Sequence, residues 1–283
     1  MTSPAAPAGS PTASTRLLAV LGWPVGHSRS PDIHNAALRH LDLDLVYVAL
    51  PVHPDDLATA VAGLGAVGCV GASVTIPHKQ AVVDLCDGVS DEARLIGAVN
   101  TLSWRDDGLH GHNTDAVGLV RALDEAGAGA GPVLVFGTGG AARAAVVGIA
   151  SSGREVVVAG RRADAAAELA QLAQRAGGVG RAVPSTDANA LTQAVAGCST
   201  VVNATPLGMA DEPLPEPLMA LRADQLAHDM VYSPPVTPFL AAARDRGATA
   251  VNGLPMLVHQ AAVAFEGWTG RPAPVTVMMG VLT

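Results

Sequence analysis

Val133-Leu134-Val135-Phe136-Gly137-Thr138-Gly139-Gly140-Ala141-Ala142 is the stretch that decides how this 283-residue chain is read. Four apolar residues of strand character run into a G-x-G-x-x-A turn, and an alanine-rich helical segment follows to about Ser151. Gly patterns alone are weak, but strand before and helix after is the context a dinucleotide site requires. Gly137 permits the tight turn, Gly139 lets backbone approach a pyrophosphate, and small Ala142 lets helix and strand pack closely. The helix start adds free N–H groups and a positive dipole end for the phosphates. Gly137, Thr138, Gly139, Gly140 and Ala141 are therefore the expected cofactor-binding turn.

Working outward, the next apolar strand, Val156–Ala159, ends in Gly160-Arg161-Arg162. An NAD site usually carries an acid about 20 residues beyond the turn, bonding the ribose 2′-hydroxyl. Here no acid occurs before Asp164. Two guanidiniums suit a 2′-phosphate through charge-assisted, bidentate bonds, so Arg161 and Arg162 predict NADP. Helical patterns at Ala116–Ala126 and Ala163–Arg175 alternate with apolar strands at Thr200–Asn203, Leu226–Met230 and Thr249–Val251. That rhythm predicts a parallel sheet covered on both faces, a Rossmann domain over 114–253.

The region upstream is also α/β. Strands are expected at Leu17–Gly22, Leu45–Leu50 and Val70–Ile76, with helical runs at Asp32–His40 and Pro54–Leu64. Val99–Arg105 and Leu109–His112 flank Asp106-Asp107-Gly108 as a hairpin. Residues 16–113 make the other domain, a last helical run near Met256–Glu266 within 254–283 could return to either domain, and 1–15 read as a disordered tail without signal-peptide character.

Hydrophobic residues at 49% and charged residues at 15% favour large buried cores over disorder. A net charge of −8 provides no basic field for nucleic acid. Any anionic ligand must be held by local donors, as the helix start offers. No uninterrupted apolar stretch reaches membrane-spanning length. Cys69, Cys86 and Cys198 share no short spacing, which points away from disulfides and zinc and toward a reducing, cytoplasmic setting. The histidines show no ligand pair at helical spacing, so no metal is expected. A homodimer is left open.

Several polar residues upstream have bland accounts when taken singly. Ser30 before Pro31 makes a good helix cap, although Ser28 is then unexplained. Lys79, in Val74-Thr75-Ile76-Pro77-His78-Lys79, could be a solvated surface charge, and Thr114 or Asp115 a helix cap. Asn100 lies in an apolar strand, where its amide needs partners.

Taken in order, the patterns G-x-P-[VI]-x-H-S-x-S, V-T-[IV]-P-x-K, G-A-[VI]-N-T, N-T-D and G-x-G-G-A-x-R resemble the shikimate dehydrogenase family. Val202-Asn203-Ala204-Thr205-Pro206, Asp229-Met230-Val231-Tyr232 and Gly253-Leu254-Pro255-Met256 agree, so the resemblance spans nearly the whole chain from Leu17. It implies an N-terminal substrate domain, an NADP-binding Rossmann domain and a cleft between them. The implied activity is the NADP-dependent, reversible reduction of 3-dehydroshikimate to shikimate, a step of aromatic amino acid biosynthesis. Ser28, Ser30 and Tyr232 match the family's ligands of the substrate carboxylate; Thr75, Asn100, Asp115 and Gln260 match those of the ring hydroxyls. Lys79 matches the acid/base, working beside Asp115, and Met230 and Gly253 match positions near the nicotinamide.

The sequence departs from the family at Ser73, where Asn is common, and at Ala165, where the cofactor loop often carries Arg. His112 and Pro255 also stand in place of commoner residues. A quinate or dual quinate/shikimate dehydrogenase is the nearest rival; that branch tends to alter the second serine and to carry an acid at the cofactor loop, unlike Ser30 and Arg161-Arg162. A non-catalytic NADP sensor of the same fold would have no need of Lys79 with Asp115.

Overall fold

The computed structural model describes residues 11–210 and 212–282. In chain order the strands and helices begin with β1 (Arg16–Gly22), α1 (Ser30–His40), β2 (Leu45–Pro51), α2 (Leu57–Ala66), β3 (Gly71–Val74), β4 (Gly88–Val89) and α3 (Asp91–Ile96). Then come β5 (Thr101–Arg105), β6 (Gly108–His112), α4 (Asp115–Glu125), β7 (Val133–Phe136), α5 (Gly140–Ser151), β8 (Val156–Gly160) and α6 (Ala163–Arg175). The chain continues through β9 (Gly180–Pro184), α7 (Ala188–Ala196), β10 (Thr200–Asn203), β11 (Leu226–Asp229) and α8 (Pro238–Asp245). It closes with β12 (Thr249–Val251), α9 (Leu254–Thr269) and α10 (Val275–Gly280). Among the described residues two compact units result: the chain up to Thr114 together with the part from Ala261 onward, and Asp115–Gln260.

The first unit holds a mixed sheet of order β2-β1-β3-β5-β6-β4 among the described residues. β1 runs parallel to β2 and β3, whereas β5 is antiparallel to both β3 and β6. Apolar side chains such as Leu21, Val61, Val74, Val99 and Leu102 are enclosed together on one side. Trp268 of α9 donates its indole N–H to the Leu102 carbonyl at 2.9 Å, fixing the late helix on this sheet. The expected helix over Pro54–Leu64 starts with a separate 3-10 turn, Pro54–Asp56, capped by the His53 ring. Of the tail expected to be disordered, residues 1–10 lie outside the described residues, while Ser14 and Thr15 donate to Asp44 at 2.8 and 2.6 Å.

The second unit holds an all-parallel sheet of order β12-β11-β10-β7-β8-β9. Every residue of β7, β8 and β10 is buried, which is why these strands read as unbroken apolar runs rather than alternating ones. Each fully enclosed Val or Leu contributes about 1.5–3 kcal/mol. The sheet order reverses between β7 and β10, and ligands of open α/β sheets bind at such a reversal, outside the carboxyl ends of the strands. β9 carries no sequence signal because it is an edge strand with mostly exposed residues.

Candidate functional site

In the second unit the glycine turn lies at the carboxyl end of β7. Gly137 has φ 128°, a region that disfavours side chains, and a Cβ there would lie 2.9 Å from the Ala204 carbonyl oxygen. The turn thus sits against the segment leaving β10, at the point where strand order reverses. Around Gly139 and Gly140 nothing lies within 4 Å of an added Cβ, so main chain faces open space. α5 begins at Gly140 with no side-chain cap, leaving its first N–H groups for a ligand. A Cβ on Gly160 would approach Thr138 Cγ2 at 2.6 Å, so the end of β8 abuts the same turn. Arg161 and Arg162 follow, both exposed, and neither pairs with a carboxylate among the described residues. Arg143 is engaged differently, bonding Glu168 at 2.8 Å.

Residues after β10, β11 and β12 complete this edge. The Asn203 amide donates to Asp229 at 3.0 Å and to the Leu207 carbonyl at 3.1 Å; its oxygen accepts from the Thr205 hydroxyl at 2.7 Å. Burial pushes the Asp229 carboxyl above the usual carboxylate range, although three donors oppose the shift. Met230 is half-buried, and a Cβ on Gly253 would collide with its carbonyl, which explains why a glycine stands there. Tyr232 is half-buried in the loop between β11 and α8.

Asp115 opens α4, and α4 packs tightly on α5: a Cβ on Gly148 would lie 2.7 Å from the Ala116 carbonyl oxygen. One turn along α4, a Cβ on Gly118 would lie 2.7 Å from Gln260 Cβ. Gln260, far away in sequence, is thereby brought against α4 one turn from Asp115.

In the first unit, main-chain bonds gather the other residues. Thr75 N–H donates to the Leu21 carbonyl at 2.9 Å, Val74 N–H to the Asn100 carbonyl at 2.7 Å, and Val99 N–H to the Lys79 carbonyl at 2.8 Å. The His78 ring bonds the Val52 carbonyl at 2.8 Å and anchors the turn carrying Lys79, which is half-buried. Asn100, 2% exposed, finds the partners its amide needs: its oxygen accepts from Thr114 N–H and the Thr101 hydroxyl, both at 2.8 Å. Its Nδ2 donates to the Thr114 hydroxyl at 3.1 Å. The Thr114 side chain is therefore engaged with Asn100.

The capping account of Ser30 does not hold. α1 starts at Ser30 itself, with Arg29 as the flanking residue and no side-chain cap. Ser30 N–H instead donates to the Ser28 hydroxyl at 3.3 Å, bringing the two serines together. Sequence reasoning missed Tyr47, buried in β2, whose hydroxyl donates to Ser73 at 2.8 Å and also meets Ser30. A tyrosine inside an otherwise aliphatic strand was the available signal. His112, a departure without an explanation in the sequence, turns its ring toward Arg105 at 3.4 Å, and its carbonyl accepts from Asn100 N–H at 3.0 Å. The structure explains no consequence of Pro255 or Ala165.

Family models match twice: "Shikimate dehydrogenase substrate binding domain" over residues 20–102, and "Shikimate 5'-dehydrogenase C-terminal domain" over residues 253–283. A shikimate dehydrogenase (NADP(+)) of Salinibacter ruber is 46% identical, covering 95% of this chain and 98% of its own. The shikimate 5-dehydrogenase of Listeria monocytogenes, solved with shikimate and NAD, superposes with TM-score 0.91 at 33% identity, covering 96% of this chain and 98% of that one. The Thermus thermophilus enzyme, solved with NADP(H) and shikimate, gives TM-score 0.84 at 37% identity over 94% of this chain and 98% of its own. With the glycine turn at the sheet reversal, the paired serines and the lysine beside the Asn100 strand all in place, this chain belongs to the shikimate dehydrogenase family.

Proposed function

We infer that the protein is an NADP-dependent shikimate dehydrogenase, interconverting 3-dehydroshikimate and shikimate. The observation that carries this reading is the open main chain at Gly139-Gly140 under an uncapped helix start, with two exposed arginines after the neighbouring strand that pair with no carboxylate among the described residues. That set fits a dinucleotide bearing a 2′-phosphate: N–H groups for the pyrophosphate, guanidiniums for the extra charge. NADP, when bound, supplies or accepts the hydride. Gly137 through Ala141, Met230 and Gly253 shape its seat.

The remaining work falls to side chains of this chain. Ser28 and Ser30 donate to the substrate carboxylate, each such bond to a charged acceptor being worth about 1.5–3 kcal/mol, and Tyr232 serves the same group. Thr75, Asn100 and Gln260 orient the ring hydroxyls. Lys79 gives its proton to the carbonyl oxygen as negative charge builds there, and takes it back in the reverse direction. Asp115 serves as the carboxylate partner in that transfer. Residues 16–113 with 254–283 form the substrate-binding part, and 114–253 the NADP-binding part. Free thiols at Cys69, Cys86 and Cys198 suit a reducing cytoplasm, and light scattering would decide whether the enzyme is a homodimer.

Steady-state assays with shikimate and quinate, each with NADP and NAD, test the reading. Highest kcat/KM is expected for shikimate with NADP; a clear preference for quinate or for NAD would overturn it.

A further inference from the structure

Asp229 and Thr237 are both fully enclosed, and the mechanism above uses neither. The Asp229 carboxylate receives three donors: the Thr237 hydroxyl at 2.6 Å, Val231 N–H at 3.0 Å and the Asn203 amide at 3.0 Å. The Thr237 oxygen accepts from Leu240 N–H at 3.4 Å, so its single proton is committed to Asp229. An acceptor-only arrangement of this kind matches an ionised carboxylate. Keeping such a charge in the interior is costly, and a buried charge is weak support for stability alone.

What the carboxylate does is close a loop. Val231 is the first residue beyond Met230, and Thr237 is the last residue before α8. Both are bonded to the same side chain, so the span 230–237 is tied at its two ends by one group. Tyr232 lies within that span, half-exposed, between the two ties. Asn203 carries the tie to the neighbouring strand end, where its oxygen also holds Thr205 N–H at 3.0 Å.

We propose that Asp229 and Thr237 are positioning residues for Tyr232, setting the loop that presents its phenol to the substrate carboxylate. This rests on the role given to Tyr232 above. Neither residue touches substrate; the pair acts by removing freedom from the loop before the ligand arrives, so less is lost on binding.

A double-mutant cycle on the full-length enzyme tests it, with shikimate KM, NADP KM and kcat measured for Tyr232→Phe, Thr237→Val and both together. Thr237→Val should raise shikimate KM about tenfold, the worth of the Tyr232 phenol's bond to a charged carboxylate, with NADP KM unchanged. Thr237→Ser, which retains the hydroxyl, should restore the parent value. The double variant should be no worse than the more damaged single one, since both changes remove the same contact. A folded Thr237→Val enzyme with parental shikimate KM, or effects that multiply in the double variant, would overturn the proposal. If Thr237→Val does not fold, Asp229→Asn enters the same cycle with the same expectations. A silent Tyr232→Phe would remove the role of Tyr232 itself and the proposal with it; a damaging Tyr232→Phe beside a silent Thr237→Val would remove the proposal alone.

Discussion

The two sheets solve different problems with similar material. In the second unit six parallel strands place their carboxyl ends along one edge, where the proposed cofactor site lies. One strand, one turn and one helix, contiguous from Val133 to Ser151, make the core of it. In the first unit the sheet is mixed, and its polar residues come from the end of β1, the turn after β3 and the link into β5. The strands they follow or precede are neighbours, β1 pairing with β3 and β3 with β5. A local site can be recognised from ten residues; a dispersed one needs the whole order of motifs.

The proposed function places the cofactor turn in one unit and the lysine acid/base in the other, and that division can be broken. The largest effect is expected from Lys79→Ala: kcat should fall about 10²- to 10⁴-fold, the usual worth of a placed acid/base. NADP affinity, measured by fluorescence titration, should stay at the parental value. A variant that retains its turnover would take the proton from Lys79.

Ser30→Ala comes next. Loss of a hydroxyl donor to a charged acceptor, about 1.5–3 kcal/mol, corresponds to roughly 10- to 100-fold in shikimate KM. The same change should leave NADP KM alone, and an equal effect on both constants would show damage to the fold rather than to one ligand.

Replacing Arg161 and Arg162 together by alanine reverses the pattern. The preference for NADP over NAD should drop by about tenfold, with shikimate KM preserved. An unchanged preference would mean that the two exposed guanidiniums are ordinary surface charges.

The smallest effect per step concerns what the units share. Among the described residues each encloses one histidine with both ring nitrogens unpartnered: His34, stacked on Tyr47 at 4.3 Å, and His228 in β11. Burial holds their pKa values down to about 3 and about 4 respectively, from 6.5. Both are neutral when folded and take up protons when unfolded, so their contribution is complete above about pH 6.5 and falls as the medium acidifies through the interval down to those folded values. Each should cost about 1.4 kcal/mol per pH unit within its window. Urea midpoints between pH 7 and 5 measure this, and His228→Leu should flatten the slope; an identical slope in that variant would contradict it.

Legibility followed the same division. β7, α6, β10 and β12 stand where apolar runs and their punctuation placed them, because buried parallel strands and an amphipathic helix write their burial directly into sequence. β9 and α7 left no signal, one being an exposed edge strand and the other a short alanine-rich helix. At the site, the glycine turn was visible from its spacing together with the strand before it and the helix after it. Ser28, Thr75, Asn100 and Lys79 were visible only as a set, since each has an ordinary explanation by itself. Tyr47 and Thr237 were not visible, because a buried hydroxyl is recognised by its partner, and Ser73 and Asp229 are brought to them only by the fold.

The most direct test of hydride exchange between shikimate and NADP is isotopic. Shikimate carrying deuterium on the carbinol carbon that becomes the ketone of 3-dehydroshikimate is oxidised with NADP by the purified enzyme, and the reduced cofactor is weighed by mass spectrometry. One deuterium per reduced cofactor is the predicted result, with the hydroxyl proton released to solvent through Lys79. Reduced cofactor free of deuterium, or no reduction at all, would contradict the account.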